Sequence, residues 1–146
     1  MAQQLSVFLE NSPGRLSRLA TVLGQAGINM HALFLADTND FGVCRIICDR
    51  TELAAEVLRS EGFSVNTTEV IAVEIPDTPG ALAKLFDAIA AAEIDIGYTY
   101  CIVDPMTKKA INFCRLKAPN AVEVIKNAGF TIVGDNIFHG LQESSS

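Results

Sequence analysis

Apolar and polar positions alternate at Leu5, Val7 and Leu9, then change to a helical spacing at Leu16, Leu19, Ala20 and Leu23. The first pattern predicts a strand and the second a helix with one apolar stripe. Between them, Ser12-Pro13-Gly14 predicts the helix start, with Ser12 as N-cap and Pro13 at the first helical position. Gly27 closes the helix as a C-cap. Two β-rich runs, 28–36 and 41–48, flank the polar cluster Asp37-Thr38-Asn39-Asp40, which predicts a hairpin. A second helix follows, with Thr51 as cap and Leu53, Val57 and Leu58 on its apolar side, and residues 63–67 form a last strand.

The same order then recurs. Residues 7–30 laid over 73–96 match without a gap, and like replaces like at Asn11 and Asp77, Ser12 and Thr78, Arg18 and Lys84, and Asn29 and Asp95. The helical stripe reappears as Leu82, Leu85, Phe86 and Ile89; the hairpin as 94–103 and 109–116; the second helix around Val122, Val124 and Ile125; the last strand as 130–133. Gly62-Phe63 matches Gly129-Phe130 with one extra residue in the second copy, which a hairpin turn absorbs most easily. Each copy therefore reads strand, helix, strand, strand, helix, strand. That order predicts an α+β fold of two tandem ferredoxin-like βαββαβ domains, each an antiparallel sheet with its helices on one face. The expected domains are 1–68 and 69–140, with a disordered tail at 141–146. Each copy is near the lower size limit for an independent core, so two in one chain are expected to support each other.

Composition narrows the function. Of 146 residues, 49% are apolar and 19% charged, enough for a packed core. The net charge of −6 and the scattered Lys and Arg argue against a nucleic-acid partner. The start of the chain has no signal-peptide pattern and no apolar run approaches membrane-spanning length, so a soluble, cytoplasmic protein is expected, with no membrane partner. Cys44, Cys48, Cys101 and Cys114 form no C-x-x-C pair and sit in apolar segments, which predicts buried thiols in a reducing compartment. Neither they nor His31 and His139 have metal-ligand spacing, so no metal and no cofactor are expected.

The chemistry points to the strand-to-helix turn, Asn11-Ser12-Pro13-Gly14 and its copy Asp77-Thr78-Pro79-Gly80. First-turn N–H groups have no intrahelical partner and carry partial positive charge, so they suit a carboxylate. Gly14 and Gly80 allow close approach to the backbone. Asn11 or Asp77 can accept hydrogen bonds from an ammonium group, and the combination suits a zwitterionic α-amino acid. Ser-Pro-Gly is also ordinary helix-start chemistry; capping accounts for Ser12 and Thr78 but not for the repeated polar residue ahead of them.

From about Gln4 to about Phe138 the chain resembles the ACT family of small amino-acid-binding regulatory domains. The resemblance rests on Asn11 to Leu16 and Asp77 to Leu82, the L-x-x-L helix after each, and Gly27 to Met30. It implies amino acids held between two such domains packed side by side. By position, one site takes Asn11, Ser12, Gly14, Arg15 and Leu16 against Asp95 and Ile96. The other takes Asp77, Thr78, Gly80, Ala81 and Leu82 against Asn29 and Met30. Glu93 in place of Gly27, and Asp95 in place of Asn29, imply inequivalent sites. The expected function is a regulatory amino-acid sensor with a free amino acid as ligand, acting as a homodimer or on a metabolic enzyme partner. The alternatives are a regulatory subunit of a separately encoded biosynthetic enzyme and, ranked last, an enzyme on this scaffold.

His31, two residues beyond Asn29, reads as a pocket-lining or interface residue. Tyr98 and Tyr100 share one face of the matching strand and read as packing residues with a hydroxyl at the edge, with contact to a ligand or another chain as the alternative. The segment from Asp37 to Gly42 imitates a calcium loop, but Phe41 occupies a ligand position and Cys48 stands at the bidentate Glu position, so it reads as a turn.

Overall fold

The computed structural model describes residues 1–10, 12–37, 41–104 and 108–134. The chain divides into two compact units, one built on Gln3–Thr68, the other on Met1–Ala2 and the described residues within Glu69–Ile137. The first contains β1 (Ala2–Glu10), α1 (Arg15–Gln25), β2 (Met30–Asp37), β3 (Phe41–Cys48), α2 (Thr51–Ser60) and the start of β4 (Ser64–Pro76). The second takes the rest of β4, then α3 (Ala81–Ala91), β5 (Ile96–Asp104), β6 (Lys109–Leu116), α4 (Ala121–Asn127) and β7 (Thr131–Val133). The strand order is β2-β3-β1 with β4 beside β1 in one, and β7-β4-β6-β5 in the other. The ladders β1–β3 and β2–β3 of the first unit and β4–β6, β4–β7 and β5–β6 of the second are antiparallel. This is the ferredoxin-like βαββαβ arrangement, twice, as the repeat predicted.

Register explains each core. Leu5 opposite Ile46 and Val7 opposite Cys44 put four apolar side chains on one sheet face, where Leu19, Leu23 and Leu58 of the helices cover them. In the second unit Ile71, Val73 and Ile75 meet Leu85, Ile89 and Ile125. Burying each such side chain contributes about 1.5–3 kcal/mol. Asn112 occupies the place opposite Val73 that Cys44 takes opposite Val7. Its carboxamide is satisfied there: the Thr99 hydroxyl donates to Oδ1 at 3.0 Å, and Nδ2 donates to the Cys101 sulfur at 3.0 Å. Burial pushes the Cys44 and Cys114 thiols up to about 11 and raises that of Cys48, which holds all three protonated and unreactive at neutral pH. Cys101, expected to be buried, is exposed on β5, the last strand in its unit's order.

The helix faces differ from expectation in a consistent way. In α1 the buried residues are Leu19, Val22 and Leu23, and Leu16 is exposed; in α3 they are Ala81, Leu85 and Ile89, with Leu82 exposed. In α2 the buried face is Ala54, Ala55 and Leu58, with Leu53 outside. In α4, Ala121 and Ile125 are buried while Val122 and Val124 are only partly covered. In α2, α3 and α4 small buried alanines let the helices approach the sheet closely, and the first-turn leucines of α1, α2 and α3 are left exposed. The expected tail at 141–146 and His139 lie outside the described residues.

Candidate ligand site at the strand-to-helix turns

Both long first helices of the repeat begin on a glycine. Gly14 at φ 86° and Gly80 at φ 88° are the N-caps, in the left-handed region that a Cβ disfavours. The helices start one residue later, at Arg15 and Ala81. This corrects the expected capping scheme: Ser12 and Thr78 do not cap, since no side chain makes a cap hydrogen bond at either helix, and Pro13 precedes the first helical position. A left-handed residue between the serine and the helix turns the hydroxyl away from the amides it was expected to meet. Ser12 N–H instead donates to the Glu10 carbonyl at 2.8 Å, and the Ser12 carbonyl accepts from Arg15 N–H at 3.4 Å. The front of each helix thus presents backbone amides without a side-chain acceptor, the condition under which an anion is held best. Thr51 likewise begins α2 instead of capping it; Arg50 is the N-cap residue.

In the first unit a cavity of about 350 Å³ opens at this turn. Ser12, Pro13, Arg15 and Leu16 line one side, and Leu9, Glu10, Leu35 and Gly42 the other. Leu16, in the apolar stripe by spacing and in the site by resemblance, is exposed and stands in this wall. The guanidinium of Arg15 lies 5.0 Å from the centroid of the Phe63 ring, a cation–π contact shared with Arg18 at 5.9 Å. Arg18 is held by Glu61 at 3.0 Å, whereas the buried Nε of Arg15 has no hydrogen-bond partner. A buried donor in that state costs about 1–3 kcal/mol. Leu9, Glu10, Leu35, Gly42 and Phe63 were not expected at the site from sequence. Only the recurrence of Gly62-Phe63 as Gly129-Phe130 hinted at the aromatic support under Arg15.

The second turn is built differently. Ala81 stands where Arg15 does and is buried, and Asp77 and Thr78 are exposed. Asp77 N–H donates to the Lys108 carbonyl at 2.9 Å, tying the turn to the start of β6. Asn11 lies outside the described residues. Of the positions implied for the opposing walls, Asn29 precedes β2, its N–H donating to Asp49 Oδ1 at 3.2 Å and its carbonyl accepting from Asp49 N–H at 3.3 Å. Met30 packs partly against the core of its own unit, and Asp95 and Ile96 are exposed at the start of β5. The register irregularity between Met30 and Ala32 breaks the alternation that put His31 on one face with Asn29. Tyr100 stacks on Phe113 with centroids 5.2 Å apart, a packing role as expected.

Among the described residues no three His, Cys, Asp or Glu side chains form a metal-ligand group, and no helix is long and apolar enough to cross a membrane. Residues 38–40 of the calcium-like segment lie outside the described residues.

A family model described as an ACT domain pair matches residues 1–139. The solved structure of protein BT0572 from Bacteroides thetaiotaomicron is 34% identical, with a TM-score of 0.84, over 90% of this chain and 91% of that one. The ligand-free regulatory subunit of aspartate kinase from Thermus thermophilus superposes with a TM-score of 0.64 at 19% identity, over 87% and 92% of the two chains. The corresponding subunit from Thermus flavus gives 0.60 at 17% identity, over 86% and 91%. A search of curated proteins finds no match.

Proposed function

Because the chain belongs to the family of ACT domain pairs, we propose that it is a regulatory module that binds a free α-amino acid at its strand-to-helix turns. The observation that carries this reading is the bare, glycine-capped front of α1 beside a cavity that Arg15 lines. A ligand carboxylate fits there, accepting from the first-turn amides and from Arg15. The ammonium group is assigned to Asn11, or to Asp77 in the second copy. The opposing wall is assigned to the strand-start residues of a second ACT domain: Asp95 and Ile96 facing the first turn, Asn29 and Met30 facing the second. Leu9, Leu16 and Leu35 make the cavity wall largely apolar, which suits an aliphatic side chain.

Thermal unfolding of the intact chain against each of the twenty amino acids is the test. A true ligand at a hundred times its Kd adds about 2.7 kcal/mol of apparent stability, and a panel without any shift at millimolar concentration overturns the reading. A second reading, a regulatory subunit acting on a separately encoded biosynthetic enzyme, is favoured by the likeness to regulatory subunits of aspartate kinase. Affinity purification from the native host separates the two: a stoichiometric enzyme partner supports the second, its absence the free-standing sensor. In both readings the role of the chain is regulatory.

A further inference from the structure

In the first unit the Phe63 ring is covered by the guanidinium groups of Arg15 and Arg18, and the residue is 4% exposed. Phe130 holds the same place in the second unit, directly after the left-handed Gly129, as Phe63 follows Gly62. There Ala81 replaces Arg15 and Lys84 replaces Arg18, and among the described residues no cation stands over the Phe130 ring. Phe130 packs only partly against the core of its unit. A cavity of about 490 Å³ opens beside it, larger than the one at the first turn and within the range of small-ligand sites.

The lining has two parts. Ile75, Pro76 and Phe130 supply apolar surface, and Lys108, Lys109 and Glu74 supply charge. Register explains the grouping: Ile75 and Pro76 end β4 opposite Ala110 and Lys109, so the charged start of β6 lies beside the apolar residues. Lys109 is held by Glu74 at 2.8 Å. Lys108 forms no ion pair among the described residues. It adopts φ 56°, and its carbonyl accepts from Asp77 N–H at 2.9 Å, which fixes the backbone from which its side chain reaches the cavity.

These charges say what fits. Two ammonium groups and one carboxylate leave the lining with a single net positive charge. Asp77 meets Lys108 through its backbone N–H, and its carboxylate is not in the lining. A dianion such as phosphate is opposed by Glu74 and makes no use of the apolar wall, while a neutral molecule leaves the Lys108 charge without a partner. The match is a single negative charge on an apolar body.

We infer that this cavity binds a monocarboxylic acid with an apolar body, the carboxylate on the ammonium groups of Lys108 and Lys109 and the body against Phe130, Ile75 and Pro76. The site shares no residue with the cavity at the first turn, so the chain has a second ligand site of a different charge type.

Nuclear magnetic resonance titration of the whole chain with phenylacetate, read at the backbone amides, tests this. Saturating shifts are expected at Lys109, Gly129 and Thr131. Lys108→Asn removes the ammonium group and keeps a residue that tolerates the left-handed region, so the dispersion of the spectrum is expected to stay unchanged while the dissociation constant rises about tenfold or more. Phenylacetamide, which lacks the charge, and acetate, which lacks the body, are each expected to bind about tenfold more weakly or worse. The inference is overturned by the absence of saturable shifts at those amides, by shifts confined to the first turn around Arg15, or by indifference to Lys108→Asn. Equal binding of phenylacetamide overturns it too, and equal or tighter binding of L-phenylalanine at those amides would make the site one for zwitterions instead. Should Lys108→Asn fail to fold, the comparison of phenylacetate with phenylacetamide on the wild-type chain decides alone. This titration and the amino-acid panel report on different residues, so failure of one reading is distinguishable from failure of the other.

Discussion

The two strand-to-helix turns share a backbone and differ in chemistry. Gly14 and Gly80 hold nearly the same left-handed conformation, neither helix has a side-chain cap, and Pro13 and Pro79 precede both. The first turn then adds a guanidinium resting on Phe63 and an open cavity; the second places buried Ala81 at that position and spends an amide on the Lys108 carbonyl. Both copies keep what the backbone needs to start a helix. The side chains around the two turns differ, because one is open at the surface and the other is packed.

The largest test of this contrast is Arg15→Ala. With the amino acid that stabilises the chain most, calorimetry is expected to show about ten- to hundredfold weaker binding at the first site, as loss of a charged hydrogen bond implies. Asp77→Asn should leave that site unchanged, and equal losses from both substitutions would mean that the turns are not separate. Next in size, Gly14→Ala and Gly80→Ala should each lower stability by about 1–2 kcal/mol in urea unfolding, since an alanine must enter the left-handed region. The two costs should agree, because no atom lies within 4 Å of an added Cβ at either position. A clear inequality would show that the backbones are less alike than their angles. Smallest is Glu93→Gly. Glu93 adopts φ 58° where its counterpart Gly27 has φ 73°. Relief of that conformation outweighs the added freedom of the unfolded chain by about 0.5 kcal/mol, so a small rise in melting temperature is expected.

Much of the fold was legible in the residues. Alternation at Leu5, Val7 and Leu9 and the helical spacing at Leu19 and Leu23 are consequences of backbone period, and they survive in any context that buries one face. Gly27 and Ile28 show the same locality: their N–H groups close α1 through the carbonyls of Gly24 and Leu23 at 3.0 Å each. The site was legible only as a turn. Whether Ser12 caps depends on the φ of Gly14, two residues on, and a hydrogen-bonding side chain in a sequence carries no record of that angle. Leu16 fits an apolar stripe as well as Leu19 does, and only the depth of α1 on its sheet sends one to the cavity and the other to the core.

Sequence by itself determined the duplication, the order of elements in each copy and the place of the glycine turns, since all three follow from local spacing and from the few residues that tolerate unusual backbone angles. Tertiary structure alone decided that Leu9, Leu35 and Gly42, distant in the chain, line one cavity with Arg15, and that Phe63 supports its guanidinium. Those outcomes depend on which surfaces meet after the chain has folded, and no local pattern encodes the meeting.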